Sequence, residues 1–157
     1  MAWARASNYA VEQDLAGNVF ARRAGRRNGA AIVSGSHLDT VPTGGAYDGA
    51  YGAVAALCAL EALDAAGIET EHPVEAVAWA GEEGSRFPLG CLGSGAFGGL
   101  NALADVDALM DEDGVTFADA RKAANGLLPD VPVRGGFPAP VAYVELHIEQ
   151  GPVLEHE

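Results

Sequence analysis

The chain has 157 residues, enough for one domain with a real core, and 49% of them are hydrophobic, so it should be globular rather than disordered. Nine Lys and Arg stand against 22 Asp and Glu, a net charge of −13, which argues against a nucleic-acid or anionic-membrane surface. No apolar stretch nears the roughly 20 residues that span a bilayer, and the first residues lack a signal-peptide core, so the cytoplasm is the expected compartment.

In chain order, residues 11–23 read as two short strands around a turn at Asp14-Leu-Ala-Gly17. Arg22, Arg23, Arg26 and Arg27 flank the next turn and read as a solvated hairpin tip. Residues 31–36 form an apolar run of the buried-strand type. A loop of turn formers, Pro42 to Gly49, leads to a helix over 50–66. In it Val54, Leu57, Cys58 and Leu60 mark the buried face, and Gly67 ends it. Residues 73–80 are a second apolar strand. A loop over 84–93 follows, with Ser94 as the expected cap of a short helix reaching Leu100. Thr116 opens another helix, to about Ala124. Residues 141–148 are a third buried strand. Strands alternating with helices predict an α/β fold, a mostly parallel sheet with flanking helices.

Two cysteines, Cys58 and Cys91, are too few for a disulfide framework, and both are expected to be packing residues. Gly93-Ser-Gly-Ala-Phe-Gly98 matches G-x-G-x-x-G. It follows a loop containing Pro88 rather than a strand, so a dinucleotide site fails its context.

The chemistry concentrates where the apolar runs end. Open α/β sheets gather ligands at the carboxyl ends of their strands. His37, the adjacent Glu82-Glu83 and His147 all fall at or just past such ends, and Asp48 precedes the helix. Imidazoles with carboxylates suit zinc, manganese, cobalt or nickel better than calcium. Asp39, two residues after His37, is placed to accept the other ring N–H of that histidine. Asp48 is placed to bridge two ions, and Glu82 to carry a proton. Singly, each has a plainer reading: a hydrogen-bonded histidine, a turn aspartate, a solvated acidic loop. Their shared placement favours a metal centre.

Three blocks, Gly35-Ser-His-Leu-Asp-Thr-Val-Pro-Thr-Gly-Gly-Ala-Tyr-Asp-Gly49, Glu82-Glu-Gly-Ser-Arg-Phe87 and Glu145-Leu-His-Ile-Glu-Gln-Gly-Pro-Val-Leu-Glu155, resemble the M20 metallopeptidase superfamily. They are most similar to its amidase branch of N-carbamoyl-L-amino-acid hydrolases, allantoate amidohydrolases and β-ureidopropionase-type enzymes. The resemblance implies two divalent ions, zinc first. His37 and His147 hold one, Glu83 holds the other, and Asp48 bridges. It implies Glu82 as the catalytic acid/base and Gln150 as a contact to a small carbamoyl or ureido acid. Arg86 is a loop-ordering residue on the same comparison. An M20 aminoacylase or peptidase is the alternative activity, and a fragment binding metal weakly without catalysis is the other. Gly81 and Gly95 depart from the family pattern, which often has Asp and Arg there. The family also has a further histidine ligand and a lid or dimerisation domain downstream, and forms homodimers. Residues 1–157 are therefore expected to be part of a metallohydrolase catalytic domain.

Overall fold

Alternating apolar residues and glycine-centred turns build a five-stranded sheet in a computed structural model that describes residues 2–156. The strands are β1 (Ala10–Gln13), β2 (Val19–Arg23), β3 (Ile32–His37), β4 (Val74–Trp79) and β5 (Ala142–Val144), in the order β1-β2-β4-β3-β5. β3 runs parallel to both β4 and β5, whereas β2 is antiparallel to β1 and β4. The α/β architecture is as expected, and its parallel half carries the chemistry.

The helices are α1 (Ala2–Ala6), α2 (Ala50–Ala65), α3 (Leu92–Phe97), α4 (Leu103–Asp107) and α5 (Phe117–Gly126). α2 covers one face of the sheet, and its buried face overlaps the expected one at Leu60 and in part at Leu57. Gly52, Ala53, Ala56 and Leu60 are buried, whereas Val54 and Cys58 are exposed and Leu57 is half-buried. The reason is close approach: a Cβ on Gly52 would overlap the Leu146 carbonyl oxygen. Small residues therefore face the sheet at Gly52, Ala53 and Ala56, with Leu60 buried beyond them, while Val54 turns outward and Cys58 is no core residue.

Three further expectations need correction. β5 covers only three residues, all exposed, because it forms the edge of the sheet among the described residues. Ser94 does not cap α3. The cap is Cys91, in a left-handed conformation at φ 54°, and the first helical N–H groups bond elsewhere (below). The arginine cluster is a solvated tip only in part: Arg26 and Arg27 are exposed, whereas Arg22 and Arg23 are largely covered, and all four are paired. Arg22 pairs with buried Glu75 at 2.7 Å, Arg23 with Asp64 at 2.6 Å, Arg26 with Glu69 at 3.2 Å and Arg27 with Glu71 at 2.6 Å. Thr116 does cap α5: its Oγ1 accepts from the Asp119 amide at 3.1 Å. No helix among the described residues is long and apolar enough to cross a membrane.

Candidate metal centre

Three parallel strands bring the predicted residues to one edge. His37 is the last residue of β3, Glu82 and Glu83 follow β4, and His147 follows β5. Asp48 arrives from the loop before α2. A positive φ of 64° at Gly49 turns the chain there, and a Cβ on that residue would overlap the His37 ring. His37 and Asp48 are buried at 1% and 2% exposure.

The imidazoles have one tautomer written into their surroundings. His37 Nδ1 lies 2.7 Å from the Asp39 carbonyl oxygen, and His147 Nδ1 lies 2.6 Å from the Ile148 carbonyl oxygen. A carbonyl only accepts, so each Nδ1 carries the hydrogen and each neutral ring keeps its lone pair on Nε2. Those two Nε2 atoms face each other at 3.1 Å. Neither can donate to the other. Asp48 Oδ1 lies 3.9 Å from His37 Nε2 and 3.7 Å from His147 Nε2, buried and without a hydrogen-bond partner. Three electron-rich atoms thus point at one another, an arrangement that calls for a shared cation. The group His37, Asp48 and His147 has ligand atoms close enough to hold a metal ion, as does the group His37, Glu82 and Glu83.

The glutamates close the other side. Glu82 Oε2 is 3.7 Å and Glu83 Oε1 3.9 Å from His37 Nε2. Hydrogen bonding to Asp48, burial and the negative charges of Asp48 and Glu82 all push the Glu83 carboxyl up. Burial works to raise Asp48 as well. Hydrogen bonds to Glu83 and Gln150 and the two imidazoles outweigh it, and hold Asp48 below the usual carboxylate range. The two neighbouring carboxyls are thus pushed in opposite directions, Glu83 up and Asp48 down. Gln150 neighbours the Asp48 carboxylate from a left-handed backbone at φ 52°.

Asp39 is placed differently from the contact expected of it. Its backbone carbonyl, not its carboxylate, orients His37. The carboxylate lies 3.9 Å from Nδ1 and accepts the backbone N–H of Glu82 at 3.2 Å and of Glu83 at 3.1 Å. Spacing alone could not separate these two contacts of one residue. Arg86 pairs with Asp111 at 2.9 Å, in keeping with a role in ordering the loop. Cys91 lies beside the site, its Sγ 3.4 Å from Glu82 Oε1. Partial burial and the Glu82 carboxylate raise its thiol, so it stays protonated and a poor nucleophile. A cleft of about 580 Å³, floored by Trp79, Phe97 and Tyr143, opens beside Glu82.

Convergent imidazoles and carboxylates at the carboxyl ends of parallel strands define a metallopeptidase-type domain. Residues 18–126 match the family described as Peptidase family M28, and the chain belongs to that family. Its relatives include amidohydrolases, the branch that the sequence blocks resemble. It is 43% identical over 148 residues to an N-carbamoyl-L-amino acid amidohydrolase of Geobacillus stearothermophilus, covering 92% of this chain and 36% of that protein. It is 43% identical over 155 residues to an allantoate amidohydrolase of Escherichia coli strain K12, covering 96% and 36%. A hydantoinase/carbamoylase family amidase of Burkholderia ambifaria, 44% identical, superposes with a TM-score of 0.89 over 99% of this chain and 38% of that one. The chain thus spans little more than a third of the length of these relatives.

Proposed function

We propose that this chain is part of a metal-dependent hydrolase of linear amide C–N bonds, acting on N-carbamoyl amino acids or ureido acids such as allantoate. The observation that carries the metal reading is the facing pair of Nε2 lone pairs beside the unpartnered Asp48 Oδ1. The names of the relatives support the substrate class.

On this reading His37 and His147 hold one divalent ion, Glu83 holds a second, and Asp48 bridges. Zinc is the first choice, and manganese, cobalt and nickel suit the same donors. When bound, such ions supply Lewis acidity toward a carbonyl and a water molecule. Glu82 is the proton carrier. It accepts a proton from the water as its oxygen bonds to the carbonyl carbon, and returns it to the nitrogen as the C–N bond breaks. For a carbamoyl substrate the products are ammonia and a carbamic acid, which loses carbon dioxide to leave the amino acid. Asp39 holds the backbone that presents Glu82. Gln150, beside Asp48, contacts the substrate. The resemblance adds a further histidine for the second ion, and a homodimeric whole protein in the cytoplasm.

Glu82→Gln in the whole protein tests the assignment. Turnover should fall by about 10²- to 10⁴-fold, the usual contribution of a positioned acid/base, with metal content unchanged. Full activity in that variant would remove Glu82 from the mechanism. The peptidase description of the matching family favours a second reading, hydrolysis of acyl or peptidyl amino acids. Ammonia released from carbamoyl substrates, against amino acids released from acyl or peptidyl ones, separates the two.

A further inference from the structure

The β1–β2 turn lies outside the metal centre, yet it carries two fully buried polar side chains that the proposed chemistry does not use. Asp14 and Asn18 are both 0% exposed. Asp14 Oδ1 accepts the amides of Ala16 at 2.9 Å and Asn18 at 3.0 Å, closing the turn. Asp14 Oδ2 accepts from the Asn18 side-chain amide at 2.8 Å, which fixes which way that amide faces. The Asn18 amide then spans two segments. Its nitrogen donates to the Gly93 carbonyl at 2.9 Å, and its oxygen accepts the Ala80 N–H at 3.0 Å.

Those two segments hold the glutamate pair. The amides of Cys91, Leu92 and Gly93, at the start of α3, donate to the carbonyls of Glu82 at 2.7 Å, Gly81 at 3.1 Å and Ala80 at 2.8 Å. The Ala80–Glu82 stretch thus supplies the backbone cap of α3, and Asn18 ties both sides of that ladder together. Asp39 takes the Glu82 and Glu83 amides from the opposite side. Gly93 fits the same picture. A Cβ there would overlap Asn18 Oδ1 and crowd Ala80, so close approach accounts for a glycine of the G-x-G-x-x-G stretch.

We propose that Asn18, oriented by Asp14, is a positioning residue that sets the backbone from which Glu82 and Glu83 reach the metal centre. This rests on the metal reading above. An amide suits the task because the site needs one donor and one acceptor at fixed places, and the neighbouring carboxylate decides which end is which.

The test is a Co(II) titration of the protein, followed by visible absorption. Asn18→Ala removes the clamp, and Gly93→Ala forces it apart from the other side. Leu60→Ala, in the core far from the glutamates, serves as a destabilised control at matched thermal midpoint. Both clamp variants should bind Co(II) about 10- to 100-fold more weakly, the range typical of groups that orient metal ligands, and with an altered spectrum. The control should bind as the unaltered protein does. If Asn18→Ala fails to fold, Asn18→Asp carries the same expectation, because it keeps an oxygen for Ala80 but loses the donor to Gly93. Unaltered Co(II) binding in the clamp variants, or equal weakening in Leu60→Ala, overturns the positioning role and leaves the metal reading intact. An unaltered protein that takes up no Co(II) overturns both.

Discussion

His37 and His147 stand Nε2 to Nε2 at 3.1 Å, with both Nδ1 atoms committed to backbone carbonyls. Two acceptors in contact repel each other, and the two parallel strands hold them there. Removing either imidazole should therefore cost binding at the first ion while relieving that repulsion. We expect His147→Ala to lose Co(II) binding and to keep or raise the thermal midpoint of the metal-free protein. Calorimetry with and without the ion checks this. His37→Ala should lose binding too, but at a stability cost, because His37 is 1% exposed and its removal leaves a cavity.

Gly49 sets a steric condition on the site directly at His37. A side chain there meets the His37 ring and is strained by the positive φ of 64°. Gly49→Ala should displace His37 and lower ion affinity at least as far as His147→Ala does. Isothermal titration with Co(II) measures it, and wild-type affinity in Gly49→Ala would contradict the described packing.

Ion uptake should release protons. The Glu83 carboxyl is raised above the ordinary range by its hydrogen bond with Asp48, by burial and by neighbouring negative charge. An ion needs the carboxylate, so it competes with that proton. Affinity should rise with pH through the Glu83 titration and level off above it. Titrations in two buffers of different ionisation enthalpy count the protons released. Glu83→Gln should reduce that count.

Tyr9, just before β1, donates to Asp64 of α2 at 2.7 Å. Burial, then the Asp64 hydrogen bond and charge, push its phenol up to about 12. In the unfolded chain it titrates near 10. Between those values the unfolded state loses the proton first. Stability from this contact is therefore full below about pH 10 and is lost as pH rises toward 12. Tyr9→Phe should cost about 1 kcal/mol at neutral pH, as expected for one hydrogen bond, and flatten the alkaline loss. Denaturant melts at pH 8 and pH 11 make the comparison.

Much of this protein is legible in its residue order. Apolar runs ending in His37, Glu82-Glu83 and His147 carried the strands, the α/β class and the clustering of candidate ligands, because strand period and ligand chemistry are local properties. The α2 burial face was legible only in part. Helical spacing identifies apolar positions, but only the closeness of β3 and Leu146 decides that Gly52 and Ala56 face inward while Val54 faces out. The cap of α3 was hidden likewise, since its partners are backbone carbonyls of the Ala80–Glu82 stretch rather than a side chain. Asp39 could be seen but its contacts could not, because backbone and carboxylate of one residue serve different neighbours.

Residue order alone thus determined which atoms are available: two imidazoles, the carboxylates, and strands to deliver them. Tertiary structure alone decided how they meet. The meeting of the two Nε2 atoms, the opposite shifts of the Glu83 and Asp48 carboxyls, and the Asn18 clamp all depend on distances between segments far apart in the chain. Electrostatics and hydrogen bonding act through space, and fall off over a few ångströms whatever the separation along the sequence.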